Sequence, residues 1–206
     1  MSPSDPSRGR PDRTATVLET TLELAKEEGY AKLSIERIAA RAGVGKHTIY
    51  RRWPSKGAVF LDALLSALRT DLSYPDTGDI VADLRTQMSA ARTLLGPDAY
   101  GPLYAALVGE AQHDPAIATA LYERWLQPLT KGTQNRLREA QEQGQLSPDA
   151  DLDVVVAVLY GPLYYRFLLV PGSYDDRFVD GVLEAVFTGL RPAPEPTTGK
   201  GNSSST

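Results

Sequence analysis

The sequence predicts an all-α protein: an N-terminal three-helix head with a helix-turn-helix, joined to a C-terminal helical body, about nine helices in total. Three observations predict this. Apolar residues recur at three- and four-residue spacing along the chain, with no alternating strand pattern and no repeat of fixed period. Ser, Asp and Asp-Pro stand before apolar runs, and Gly or Gly-Pro stands after them, which are helix start and stop signals. Charge also divides along the chain: residues 1–70 hold 12 Lys+Arg against 8 Asp+Glu, and residues 71–206 hold 10 against 18. The overall −4 therefore conceals a basic front and an acidic remainder.

Residues 1–10 are rich in Ser, Pro and Arg and read as a disordered basic arm. Arg8 and Arg10 suit an arm lying in a minor groove; the alternative is a solubilising tail. Thr14 to Gly29 is the first helix, with Val17, Leu18, Thr21, Leu22 and Ala25 facing inward and Gly29 as its stop. Ser34 can cap the second, whose inner face carries Ile35, Ile38, Ala39 and Ala42. Gly43 supplies the left-handed backbone of a tight turn, Gly45 can open the third helix, and Ile49 points back at the second. Small residue, glycine and apolar residue at offsets of four and six are the arithmetic of a helix-turn-helix.

From Lys32 to Lys56 there are seven cations and one acid, Glu36. The third helix offers Lys46, His47, Thr48, Tyr50, Arg51 and Arg52 outward, donors of the kind that meet phosphates and base edges in a major groove. Lys46 and Thr48 are expected nearer the bases, and Tyr50 and Lys56 on phosphates. Trp53 and Tyr30 are expected in the core. The competing interpretation is a helix pair with a solvated basic face.

The stretch AGVGKHTIYRRWPSKGAVF resembles the DNA-binding segment of the TetR family of bacterial transcriptional regulators. The resemblance rests on Ala42, Gly43, Val44, Tyr50, Trp53, Pro54, Ser55 and Lys56. Two positions depart from the family pattern: Gly45 replaces the commoner Ser or Thr, and Gly57 replaces a Glu that would complete a capping box with Ser55. The segment DVVVAVLYGPLYYRFLLV is similar to the penultimate helix of one C-terminal domain type in that family. Between residues 76 and 143 the likeness is architectural only.

In the body, Pro54-Ser55 ends the third helix and caps a fourth, Lys56 to Leu72, shared between the two parts. Residues 74–78 form a turn, and Asp79 to Leu95 the next helix. Gly96-Pro97 stops it, and Asp98 is expected to cap a helix from Ala99 to Gln112. Asp114-Pro115 is a strong start signal for a helix running to about Gln143, which Pro128 must kink or break and Gly144 ends. Asp151 or Asp153 opens a long apolar helix to Leu169, interrupted by Gly161-Pro162. Its longest apolar run, Val154 to Tyr165, falls short of the ~20 residues of a membrane span and is expected to be buried. Arg177 to Leu190 is the last helix, and residues 191–206 read as a disordered tail.

These elements give a helix-turn-helix domain over 11–56 and a helical ligand-binding and dimerisation domain over 57–190. Buried tyrosines among apolar residues suggest a cavity with a few polar tips, with Met88, Tyr104, Leu107, Leu121, Trp125 and Tyr164 as its expected lining; plain core packing is the alternative for each. The resemblance implies a homodimer built on the last two helices, through Leu159, Leu163, Phe167, Phe178, Val182 and Val186. It further implies a cytoplasmic, nucleoid-associated regulator, most often a repressor, that binds a palindromic operator in double-stranded DNA and is released by a small, largely apolar effector. No cofactor, metal or membrane partner is expected. The chain has no cysteine and only two histidines, His47 and His113, and it lacks a phosphate-cradling glycine loop, so catalysis is disfavoured. Asp151, Asp153, Asp175 and Asp176 read as helix starts. A sequence-indifferent architectural DNA binder is the other alternative, against which the acidic body argues.

Overall fold

A computed structural model of the chain describes residues 13–68, 75–172 and 174–188; the arm with Arg8 and Arg10 and the tail lie outside the described residues. These residues form nine helices and no strand. The head comprises α1 (Arg13–Glu28), a 3₁₀ turn (Tyr30–Lys32), α2 (Ile35–Ala42) and α3 (Lys46–Tyr50). The body comprises α4 (Lys56–Ala67), α5 (Ile80–Leu94), α6 (Gly101–Ala111), α7, α8 (Leu152–Leu169) and α9 (Asp176–Thr188). Helix α7 runs over Pro115–Leu121, widens into a π turn at Tyr122–Leu126, and continues over Gln127–Glu142.

Local chemistry sets most of these boundaries. Ser34 Oγ accepts from the Arg37 N–H, and Ser55 Oγ accepts from the Ala58 N–H. Asp79, Asp114 and Asp151 each accept two backbone N–H groups at the starts of α5, α7 and α8. Gly43 ends α2 at φ 65°, a left-handed conformation that only glycine adopts freely.

Four expectations are corrected. Asp98 caps nothing: the chain turns over Gly96–Tyr100 and α6 starts at Gly101, where a Cβ would collide with the carbonyl oxygens of Leu95 and Gly96. Pro128 does not break α7. The π turn directly precedes it, and such a turn rearranges the backbone bonding where Pro128 has no N–H to donate. Gly161-Pro162 does not interrupt α8, which is continuous for 18 residues and so, by length and composition, long and apolar enough to cross a membrane. Nor is α8 a buried helix, since only Leu159 and Leu163 are buried.

Two apolar cores result. The first joins head to body: Val17, Leu24, Ile38, Ile49 and Trp53 pack with Phe60 and Leu64 of α4, and these pack with Tyr104 and Leu107 of α6 and Ile117 and Leu121 of α7. Gly57 explains its own departure from the family pattern. It is buried where α4 meets α6 and α7, and a Cβ there would lie 3.1 Å from Glu110 Oε1 and 3.3 Å from Ile117 Cγ1. A side chain there would require Glu110 and Ile117 to shift by a few tenths of an ångström. The second core unites α5, α7, α8 and α9 around Leu84, Met88, Leu137, Leu159, Val179 and Leu183.

One ion pair is buried in the body. Arg136 of α7 donates to Asp83 of α5 through Nε at 2.9 Å and Nη2 at 2.6 Å, while Thr77 Oγ1 donates to the other carboxylate oxygen at 2.6 Å. Burial alone would raise the Asp83 carboxyl; the bonds from Thr77 and Arg136 outweigh it and hold the group below its usual range.

Candidate nucleic-acid interface and ligand cavity

The short helix α3 is anchored by one side chain and exposed by the rest. Ile49 is fully buried, whereas Lys46, His47, Tyr50, Arg51 and Arg52 are exposed and Thr48 is half-exposed. Arg37–Glu28 and Arg41–Glu27 ion pairs tie α2 to α1 and neutralise two of the head's cations. Lys46 Nζ sits 3.2 Å from Glu36 Oε1 in an exposed pair, a weak bond that can give way to a phosphate or base. Arg51 forms no ion pair with any described residue. Arg52 is more committed: Nη1 donates to Thr14 Oγ1 at 2.9 Å and the guanidinium lies over the Trp53 ring. Lys56 is half-buried, with Nζ 4.1 Å from the Tyr30 ring centroid, so it stands at the seam of head and body rather than on the open face.

Trp53 closes the head against α4. Its Nε1 donates to Asp62 Oδ2 at 2.7 Å, and the other oxygen of the same carboxylate accepts from Arg124 Nη1 at 2.6 Å. Arg124 lies in the π turn of α7, next to Trp125. One acid in the middle of an apolar helix therefore joins the residue after the α3 turn to the body. The signal for it in the sequence was a lone Asp between Leu61 and Ala63.

Trp125 lines a cavity of about 110 Å³ between α5, α7 and α8, bounded further by Gln87, Arg92, Tyr160, Tyr164 and Phe167. A neighbouring space of about 470 Å³ shares Arg92, Phe167 and Tyr174 with it. The Tyr160 hydroxyl donates to Gln87 Oε1, and the Tyr164 hydroxyl is 3.1 Å from that of Tyr104. Burial raises the phenol groups of both Tyr104 and Tyr164, so both keep their protons at neutral pH. The Asp83–Arg136 pair lies one turn beyond the cavity residues Gln87 and Thr133.

Of the expected lining, Trp125 and Tyr164 stand on the wall. Met88, Tyr104, Leu107 and Leu121 do not: they are buried in the two cores, with Tyr104 directly behind Tyr164. Sequence periodicity marks an inward side chain but does not distinguish a wall from a core. Gln87 and Tyr160 were missed; the available signal was a glutamine on the inner face of α5 between Leu84 and Met88.

The residues expected at a subunit interface are buried within one chain to different extents, with Phe167, Phe178 and Val186 partly exposed. Leu159, Leu163 and Val182 are buried within the chain, Leu163 and Phe167 line the cavity, and Phe178 and Val186 pack on the second core. The exposed apolar side of α8 belongs to Val154, Val158, Tyr165, Leu168 and Leu169, which are 37–72% exposed. Because α8 is apolar all round, its sequence does not reveal which face is inward.

Comparison with known proteins decides the family. The profile described as bacterial regulatory proteins of the tetR family matches residues 17–63, and the one described as tetracyclin repressor-like C-terminal domain matches residues 74–186. This chain belongs to the TetR family. The HTH-type transcriptional regulator YdeS of Bacillus subtilis is 32% identical over 188 residues, covering 89% of this chain and 94% of its own. A DNA-binding transcriptional repressor TetR of Mycobacteroides abscessus is 29% identical over 177 residues, covering 84% and 91%. The crystal structure of the TetR family transcription regulator SCO0332 is 38% identical, with a TM-score of 0.73 over 88% of this chain and 100% of that one. As a TetR family member the protein is a DNA-binding transcriptional regulator, not an enzyme, and the helix-turn-helix of α2 and α3 is its DNA-binding element.

Proposed function

We propose that this TetR family protein is a ligand-responsive repressor. It binds a palindromic operator as a homodimer in the cytoplasm and is released by a small, largely apolar effector seated in the cavity. The observation that carries the reading is the Asp62 carboxylate, which holds Trp53 of the head with one oxygen and Arg124 of the π turn with the other. Trp125, next to Arg124, is on the cavity wall. A ligand that moves Trp125 changes the one turn that also carries Arg124, so the position of α3 and occupancy of the cavity become linked. A coupling of ~1–3 kcal/mol changes operator affinity roughly 5- to 150-fold.

The homodimer is supported by the exposed apolar stripe of α8, which water would otherwise cover. Repression is supported by the Mycobacteroides abscessus relative, itself named a repressor. On DNA, Lys46, His47 and Thr48 meet base edges, Tyr50, Arg51 and Arg52 meet phosphates, Lys56 supports them at the seam, and the arm carrying Arg8 and Arg10 enters the adjacent minor groove. Selection from a random duplex pool tests this. The expected product is an inverted repeat with half-site centres about one helical turn, or slightly more, apart. Enrichment of an unrepeated site, or none, would defeat the dimeric reading.

A further inference from the structure

One aromatic cluster at the cavity wall carries more hydrogen-bond protons than acceptors. Trp125 Nε1–H, Tyr104 O–H and Tyr164 O–H form one aromatic cluster, with Tyr104 centred 6.5 Å from Trp125 and 6.4 Å from Tyr164. Trp125 Nε1 is buried and makes no well-formed hydrogen bond, its nearest acceptor being the Tyr104 hydroxyl, and the Tyr104 and Tyr164 hydroxyls lie at bonding distance from each other. Three protons face two oxygens. Even if Trp125 turned to Tyr104 and Tyr104 donated to Tyr164, one proton would remain without an acceptor. Buried donors in folded proteins are almost always paired. Tyr164 is on the cavity wall and Tyr104 is behind it, so the surplus proton is delivered to the cavity by Tyr164.

The missing acceptor is not an anion. Among the described residues Arg92 is the only cation lining the cavity, and its Nε donates to Asp176 Oδ1 at 3.0 Å, an oxygen that also accepts from Ser89. A carboxylate would have to lose its water against phenol and indole rings, with the one cation on the wall already held by a carboxylate. Apart from the uncharged polar side chains Gln87, Thr130 and Thr133, the remaining wall is ring and hydrocarbon: Trp125, Tyr160, Tyr164, Phe167 and Tyr174 supply the rings. The cavity of about 110 Å³ is smaller than an apolar cavity of about 150 Å³ that admits benzene, and the adjoining space of about 470 Å³ past Arg92, Phe167 and Tyr174 supplies the rest of the room for one planar ring with a substituent.

We propose that the cavity takes an uncharged aromatic carbonyl compound, a single planar ring bearing a ketone, ester or amide oxygen, whose oxygen accepts the proton presented by Tyr164. This rests on the reading of the cavity as the effector site and names the class of ligand it takes.

The test uses the ¹⁵N-labelled full chain, which has two tryptophans and hence two indole N–H resonances, Trp53 and Trp125. W125F assigns them. Acetophenone, benzoate and ethylbenzene are near-isosteric probes that differ in the acceptor. Acetophenone is expected to shift the Trp125 resonance saturably, with a Kd about tenfold below those of ethylbenzene and benzoate, as one hydrogen bond between neutral groups provides. Tyr164→Phe is expected to abolish the acetophenone advantage while ethylbenzene still binds. Tyr104→Phe, which leaves the Tyr164 hydroxyl in place, is expected to keep it. Tightest binding of benzoate, equal binding of acetophenone and ethylbenzene, an advantage that survives Tyr164→Phe, or no saturable shift with any probe would overturn the proposal. No DNA is used, so the two readings fail separately. Acetophenone that binds as stated but leaves operator affinity unmoved counts against the ligand-responsive repressor and leaves the ligand class standing.

Discussion

Asp62 is where head and body are most economically uncoupled. Arg124→Ala removes the body-side bond and leaves Trp53 on its carboxylate. The Arg124 side chain is 49% exposed and that of Asp62 24%, so the pair is screened and its loss is expected to lower stability by only ~0.2–1 kcal/mol. Asp62→Ala removes both bonds and strands the Trp53 indole N–H, in a residue only 4% exposed. Losing a hydrogen bond to a charged group and leaving a buried donor unpaired is expected to cost ~1.5–3 kcal/mol. Urea unfolding should therefore rank the variants with Asp62→Ala well below Arg124→Ala. The decisive readout is the Trp53 indole N–H resonance. Arg124 is bonded to the opposite oxygen of the carboxylate that holds Trp53, and its removal is expected to move that resonance through the shared group. On the operator, Arg124→Ala is expected to bind as the parent does without effector but to release less on effector binding. If Arg124→Ala leaves the Trp53 resonance unmoved and effector-induced release intact, the Asp62 link carries no coupling and the reasoning fails.

Further outcomes follow from other parts of the fold. Asp83→Asn is expected to destabilise the protein by ~3–5 kcal/mol at pH 7, because it leaves the buried Arg136 with only the exposed carboxylates of Asp76 and Glu139, each at 3.9 Å. The folded Asp83 carboxyl sits below its unfolded value, so its contribution is present above about pH 4 and lost as pH falls through the folded pKa. Acid titration monitored by circular dichroism should thus show the gap between parent and variant closing on acidification. Val158→Lys, on the exposed side of α8, is expected to yield a monomer in sedimentation at micromolar concentration with near-parental thermal stability. Leu159→Ala, one residue on, is expected to cost ~2–5 kcal/mol from the core. Arg51→Ala is expected to weaken binding to all duplexes alike and to reduce the salt slope by about one, whereas Lys46→Ala should relax preference at one base pair.

What was legible in the sequence was what is locally determined. Ser34, Gly43 and Ser55 fix the helix-turn-helix through bonds and backbone angles within a few residues, and Asp79, Asp114 and Asp151 do the same for three body helices. What was hidden depends on packing between distant segments. Gly101 opens α6 because of the carbonyls it must pass, which outranks a capping side chain at Asp98. Pro162 is carried inside a continuous α8, and Pro128 is accommodated by the π turn before it. The cavity was half legible. Trp125 and Tyr164 are on its wall, but Met88, Tyr104, Leu107 and Leu121 share the same inward periodicity and fill the cores. Which side of α8 faces its own chain was hidden for a related reason: an all-apolar helix has no preferred face until its neighbours choose one. Lys56, expected on a phosphate, is half-buried with its ammonium over the Tyr30 ring, a placement that depends on the packing of α4.

The central claim is that the exposed face of α3 reads duplex DNA. Competition anisotropy measures it directly, with a selected operator set against random duplex over a range of salt. The predicted result is a preference of about 10³-fold or more, with affinity falling linearly in log–log salt. Equal affinity for operator and random duplex at every salt concentration would contradict it.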